Sequence, residues 1–283
     1  MHIENQPDGQ LASESNERAG YFQVSGAHLY TVLHEVKNPV ARVLLVGPFA
    51  SERHNSYLPW VRWARHLAAG NIEVLRYDYR GIGESTGDFE KMTFADWAED
   101  VRLLAACLQQ RAPHAPLLLH GLGLGAILAG RAFDAGTGDG LLLWSPPANA
   151  NQALRATLLR WVGLEQIFKF GDDRKSASDY IRELEQGSPL EVDGYCWSPA
   201  LWRDSFHVTM PQALASEESA ALAYKRPVRI VKLTREAAPL TKGGLVGYDD
   251  LKDFNWLYAP NRAWITARFE GTTPPSSTGV AYA

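Results

Sequence analysis

Short, mainly apolar runs alternate along this chain with longer stretches in which apolar residues recur every three or four positions. Ala41–Val46, Ile72–Tyr77, Pro116–His120 and Gly140–Trp144 are runs of the first kind. Their length and near-continuous hydrophobicity suit strands buried on both faces of a sheet. Ser56–Ala69 is of the second kind, with Leu58, Trp60, Val61, Ala64, Leu67 and Ala68 at helical spacing and Gly70-Asn71 where a helix should end. Phe94–Gln110 is a second amphipathic helix with Thr93 placed to cap it, and Ala126–Phe133 a third. Upstream, Tyr21–Ser25 and His28–Glu35 flank Gly26-Ala27 as the arms of a β-hairpin. The alternation predicts an α/β fold: a mostly parallel, twisted sheet with helices on both faces.

The rhythm changes after Trp144. Residues 148–222 carry helical patterns without a clear strand and read as a helical cap inserted over the sheet. Val228–Leu233 restores the strand pattern, Tyr248–Leu257 looks helical, and Arg262–Ala267 is expected to be the last strand. Four segments follow: a flexible N-terminal tail over 1–19, the first part of the core over 20–147, the cap over 148–222, and the rest of the core with a C-terminal tail over 223–283. Residues 1–19 are polar, and the stretch from Gly271 holds Pro274-Pro275-Ser276-Ser277, which suits loop.

Composition narrows the function classes. Of 283 residues, 46% are hydrophobic and 21% charged, which supports a sizeable core. Net charge is −4 with the signs interspersed, so a basic nucleic-acid surface is not expected. Two cysteines, Cys107 and Cys196, cannot build a disulfide framework and fit a reducing compartment. Met1–Asp8 has neither a basic nor an apolar leader segment, and no apolar run approaches a membrane span. A cytoplasmic protein is expected, without a metal site or cofactor, because no His/Cys/Asp cluster has ligand spacing.

The informative segment is Leu117-Leu-Leu-His-Gly-Leu-Gly-Leu-Gly-Ala126. An apolar strand runs into glycines and then a helix. Serine hydrolases with a strand–elbow–helix turn hold G-x-S-x-G there, the serine sitting on a strained backbone with the helix N-terminus behind it. Here both flanking glycines, Gly121 and Gly125, are present, and the nucleophile position is Gly123. A phosphate-cradling loop is the other reading, but a dinucleotide fingerprint is G-x-G-x-x-G at the first βα turn, whereas this is G-x-G-x-G at a late one.

With that elbow, the chain resembles the α/β-hydrolases over residues 20–147. Gly47-Pro48-Phe49-Ala50 is similar to the loop that supplies an oxyanion amide, and Asp78-Tyr-Arg-Gly-Ile-Gly-Glu-Ser85 to the D-x-R-G-x-G-x-S segment. Together with Val192-Asp-Gly-Tyr-Cys-Trp-Ser-Pro199, the first of these resembles the branch of serine aminopeptidase-like proteins associated with exosortase systems. That resemblance implies an α/β-hydrolase fold, a setting in exopolysaccharide or surface-protein sorting, and a catalytic acid behind Val228–Leu233, where Glu236 is the candidate. It also implies a histidine after the last strand. Phe269-Glu-Gly-Thr-Thr-Pro-Pro275 has none, and the last histidine of the chain is His207.

Two members of the triad are therefore expected to be missing. The leading expectation is a non-catalytic pseudohydrolase that binds a small acyl or glycan-like ligand, or a protein partner. Phe49, Ala50, Leu122 and Leu124 would line the oxyanion side, and Trp197 and Trp202 an aromatic wall. The alternative is an ester or amide hydrolase, or acyltransferase, with a displaced nucleophile, Ser51 or Cys196, and His54 or His207 as base. A structural or regulatory subunit, or a homo-oligomer using the cap as interface, is the third possibility. His120 reads as a core histidine and Ser85 as a loop-shaping residue.

Overall fold

The computed structural model describes residues 16–48, 50–168, 175–232 and 255–270. Strands β1 (Glu17–Val24) and β2 (Ala27–His34) form the expected hairpin around Gly26, with β1 beginning at Glu17. The chain then runs through β3 (Ala41–Val46), α1 (Ala50–Ala68), β4 (Ile72–Tyr77), α2 (Phe94–Arg111), β5 (Leu117–Leu122), α3 (Leu124–Asp134) and β6 (Gly140–Trp144). Next come α4 (Ala150–Phe168), α5 (Ala177–Glu185), β7 (Leu190–Val192), β8 (Tyr195–Trp197), α6 (Pro199–Asp204) and α7 (Glu217–Ala223). Finally β9 (Val228–Val231) returns to the sheet, and α8 (Asn255–Phe269) follows.

The main sheet has the order β1-β2-β4-β3-β5-β6-β9. β1, β2 and β4 pair antiparallel in succession, and β4-β3-β5-β6-β9 are parallel. The expected α/β class, with a mostly parallel sheet and helices around it, is what the chain adopts. Strands β3, β5 and β6 are buried along their whole length, and β4 at every position but Arg76, because residues alternate between two cores, whereas the edge strand β9 is half-buried. On β5, Leu117 and Leu119 face the side covered by α2, α3 and α4, while Leu118, His120 and Leu122 face the side covered by α1 and α8.

Three expectations need correction. Arg262–Ala267 is not a strand: it lies within α8, whose buried residues Leu257, Tyr258, Asn261, Ile265 and Phe269 recur at helical spacing. The segment over 148–222 is not strand-free, since β7 and β8 form a hairpin whose turn residues Asp193 and Gly194 both have positive φ (50° and 80°). That is the backbone of a two-residue type I′ turn, for which Asp-Gly is a favoured pair. Helix α1 starts at Ala50, six residues before the expected Ser56, and this shift sets the geometry of the candidate site.

Candidate functional site

The turn from β5 to α3 has the form of a nucleophile elbow. Gly123 has φ 57° and ψ −127°, a conformation L-residues rarely adopt. The flanking glycines are required by contact. A Cβ on Gly125 would sit 2.1 Å from the Gly47 carbonyl oxygen and 2.3 Å from that of Val46, and one on Gly121 would sit 2.4 Å from Ala126 Cα. The elbow is thus pressed against the end of β3, and the Gly47-Pro48 loop is held beside it. The Tyr79 hydroxyl donates to the same Gly47 carbonyl at 2.9 Å.

Position 123 differs from its neighbours. Among the described residues, a Cβ there would meet one atom within 4 Å, Glu52 Oε2, at 3.0 Å. Glu52 stands in the first turn of α1, immediately after the Gly47-Pro48 loop. The other carboxylate oxygen, Oε1, accepts from the Thr157 hydroxyl of α4 at 3.3 Å. Burial pushes the Glu52 carboxyl above the usual range, while Arg160 and the Thr157 hydroxyl pull it back. Sequence reasoning did not single out Glu52. The start of α1 at Ala50 is what aims it at the elbow, and the polar residues over Ser51–Ser56 gave no helical periodicity to reveal that start.

The Asp78–Ser85 loop is scaffold. Asp78 takes a two-pronged contact from Arg53 of α1, 2.8 Å on each arm, and accepts the Glu84 amide at 3.0 Å. Gly83 is needed because a Cβ would fall 2.3 Å from Asp78 Oδ2. The Ser85 hydroxyl donates to the Asp78 carbonyl at 2.6 Å and accepts the Tyr30 amide at 2.8 Å, tying the loop to β2. Arg80 is buried against Asp100 of α2, with Nε 2.7 Å from Oδ1. These contacts fix α1, and with it Glu52, relative to the sheet.

The remaining sequence candidates do not assemble into a second constellation. His54 is exposed, with its ring 6.3 Å from that of Tyr195. His207 is exposed in the turn after α6. Cys196 lies on β8, where burial and the Glu90 carboxylate push its thiol up, the opposite of what a nucleophilic thiol requires. Trp197 and Trp202 are buried at 1% exposure each and stack on one another, so they are core rather than the wall of an open groove. Leu122 and Leu124 also bury their side chains and meet the elbow through their backbone. Ala50 and Ser51 fall in the first turn of α1, while Phe49 and Glu236 lie outside the described residues. His120 is a core residue. Its Nδ1 lies 3.0 Å from the Leu142 carbonyl oxygen, and its ring is packed by Trp60, Trp63 and Trp144. Among the described residues no group of His, Cys, Asp or Glu could hold a metal ion, and no helix is long and apolar enough to cross a membrane.

Comparison with known proteins points the same way as the elbow. A family model described as serine aminopeptidase, S33, matches residues 37–170. Among solved structures, a soluble variant of monoglyceride lipase from Saccharomyces cerevisiae, in complex with a substrate analogue, aligns with TM-score 0.57 and 14% identity, over 93% of this chain and 99% of that one. An α/β hydrolase, GrgF, from Penicillium aligns with TM-score 0.55 and 16% identity, over 89% and 99%. A carboxyl esterase from Bacillus coagulans, in complex with glycerol, aligns with TM-score 0.54 and 13% identity, over 89% and 99%. No curated protein sequence matches the chain.

Proposed function

We propose that this chain, which has the α/β-hydrolase fold and matches the serine aminopeptidase family model over residues 37–170, is a non-catalytic member of that superfamily, binding a small acyl- or carbonyl-bearing ligand at its elbow without cleaving it. The observation that carries the reading is Gly123: it holds a nucleophile's backbone conformation and has no side chain to attack with. A second feature supports it, since no histidine follows His207 in the chain. The amides behind the elbow need no side chain, so they can still polarise or hold a carbonyl oxygen. The similarity of the Gly47–Ala50 and Val192–Pro199 segments to exosortase-associated proteins supports placing that ligand in an exopolysaccharide or surface-sorting setting.

A displaced nucleophile is the competing reading, and the raised Cys196 thiol and the exposed His54 and His207 weigh against it. The deciding experiment is a screen of pure protein against short-chain p-nitrophenyl esters, with parallel labelling by an activated fluorophosphonate. Loss of a triad serine typically costs about 10⁶ in turnover. Hydrolysis at background and no adduct are expected. Turnover well above background, abolished by a change in the pocket, overturns the reading. Labelling at Ser51 instead establishes the displaced nucleophile.

A further inference from the structure

The space above Gly123 is occupied by an acceptor. Glu52 Oε2 lies 3.0 Å from the point where a Cβ would stand, and among the described residues no other heavy atom beyond the adjoining ones comes within 4 Å of that point. The carboxylate is held from its far side, where the Thr157 hydroxyl donates to Oε1, leaving Oε2 toward the elbow. Arg160, one turn of α4 beyond Thr157, attracts the carboxylate, and its buried Nη2 has no hydrogen-bond partner among the described residues, although Asp193 Oδ2 lies 3.6 Å away. The Arg53–Asp78 pair adjoins on α1 and is closed on itself.

The residue after Gly123 supplies a donor. Leu124 opens α3, and an N–H in the first turn of a helix has no intrahelical carbonyl to reach. In a serine hydrolase the nucleophile oxygen and the following amide face one substrate carbonyl. In this chain a carboxylate oxygen stands 3.0 Å from where the nucleophile's Cβ would be, and the following amide is retained. A ligand head that matches them needs a carbonyl oxygen and an N–H on one carbon. We propose that the elbow is a binding site for primary amides, with Leu124 N–H donating to the amide carbonyl and Glu52 Oε2 accepting from the amide nitrogen.

An ester has no hydrogen to give Glu52, so its second oxygen would face the carboxylate and leave both acceptors unpaired, which is unfavourable in a desolvated site. A free carboxylate would add like charge. The assignment rests on the elbow being a ligand site, as proposed above, and it adds which head group that site selects.

The test is a titration of the full chain at pH 8, followed by amide chemical shifts, with butyramide, methyl butyrate and butyrate. Butyramide is expected to bind at least tenfold more tightly than the other two, with shifts centred on the elbow. Glu52→Met, similar in length but with no oxygen, should erase that preference and leave methyl butyrate unchanged. Glu52→Gln keeps the hydrogen-bonding outline without charge, so butyrate should now bind. A thermal midpoint near wild type qualifies each variant as folded. Equal binding of all three, no binding of any, or a butyramide preference that survives Glu52→Met overturns the amide assignment. Equal binding leaves the non-catalytic reading in place, whereas rapid hydrolysis of the ester during the titration removes that reading instead.

Discussion

The three elbow glycines are present for two different reasons, and they separate by mutation. At Gly121 and Gly125 the obstruction is backbone, of Ala126 in the first case and of β3 and its loop in the second. Backbone cannot swing aside as a side chain can, so a methyl group there must displace an element. At Gly123 the sole obstacle among the described residues is the end of a Glu side chain, and the cost is mainly that of placing an L-residue at φ 57°. Gly123→Ala should therefore lose about 1–2 kcal/mol. Gly125→Ala should lose at least the 1–3 kcal/mol or so typical of overpacking, and its soluble yield should fall. Denaturant midpoints of the two variants check this. A Gly125→Ala protein as stable as Gly123→Ala would mean that the elbow does not press on β3.

At the level of elements, the loop from β4 to α2 is held by charge. Arg80 reaches Asp100 across a buried contact, the carboxyl of Asp100 being raised by burial and pulled back by Arg80. Removing Asp100 leaves the buried Arg80 with Asp96, 3.5 Å away, as its remaining carboxylate, so the cost should approach the 3–5 kcal/mol or so of a broken buried pair. Asp100→Ala should show that loss in equilibrium unfolding, and a deficit under about 1 kcal/mol would show that Asp96 or water takes over Arg80. Strands β3, β4 and β6 were legible to the residue because each is a bounded apolar run in a sheet covered on both sides. The misreadings have local causes. Arg-Ala-Trp-Ile-Thr-Ala over 262–267 is short, aromatic and β-branched, and such a run is ambiguous until the spacing from Leu257 to Phe269 is included. The β7–β8 hairpin is three residues a side, and its Asp193-Gly194 signal sat inside a helical stretch. The missing side chain at Gly123 was plain in the sequence. Glu52 was not, because which residue of a helix's first turn faces a distant loop depends on where that helix begins.

Over the whole molecule, the two cores differ in what they bury. The face under α1 and α8 encloses His120 among tryptophans, and desolvation pushes its imidazole down to about 3, the bond to Leu142 opposing. His34, at the end of β2, is pushed to about 4 by burial, with the Glu17 carboxylate opposing. Both bind a proton less readily folded than unfolded, so between pH 6.5 and those values the unfolded chain takes up more protons and stability falls as pH falls. The buried carboxyls of Glu52, Glu73 and Asp100 are raised and tilt the balance the other way above the ordinary carboxylate range, so the wild-type curve alone mixes the two. His120→Leu separates them. The change removes one titrating group and adds a packing defect that does not vary with pH. Wild type should therefore lose stability relative to this variant by about 1.4 kcal/mol per pH unit as the pH drops from 6.5 toward 4. Unfolding free energies measured at intervals across that range provide the check. Parallel curves would show that His120 is protonated as easily inside the fold as outside it, which the tryptophan enclosure and the absence of a partner for its Nε2 among the described residues do not allow.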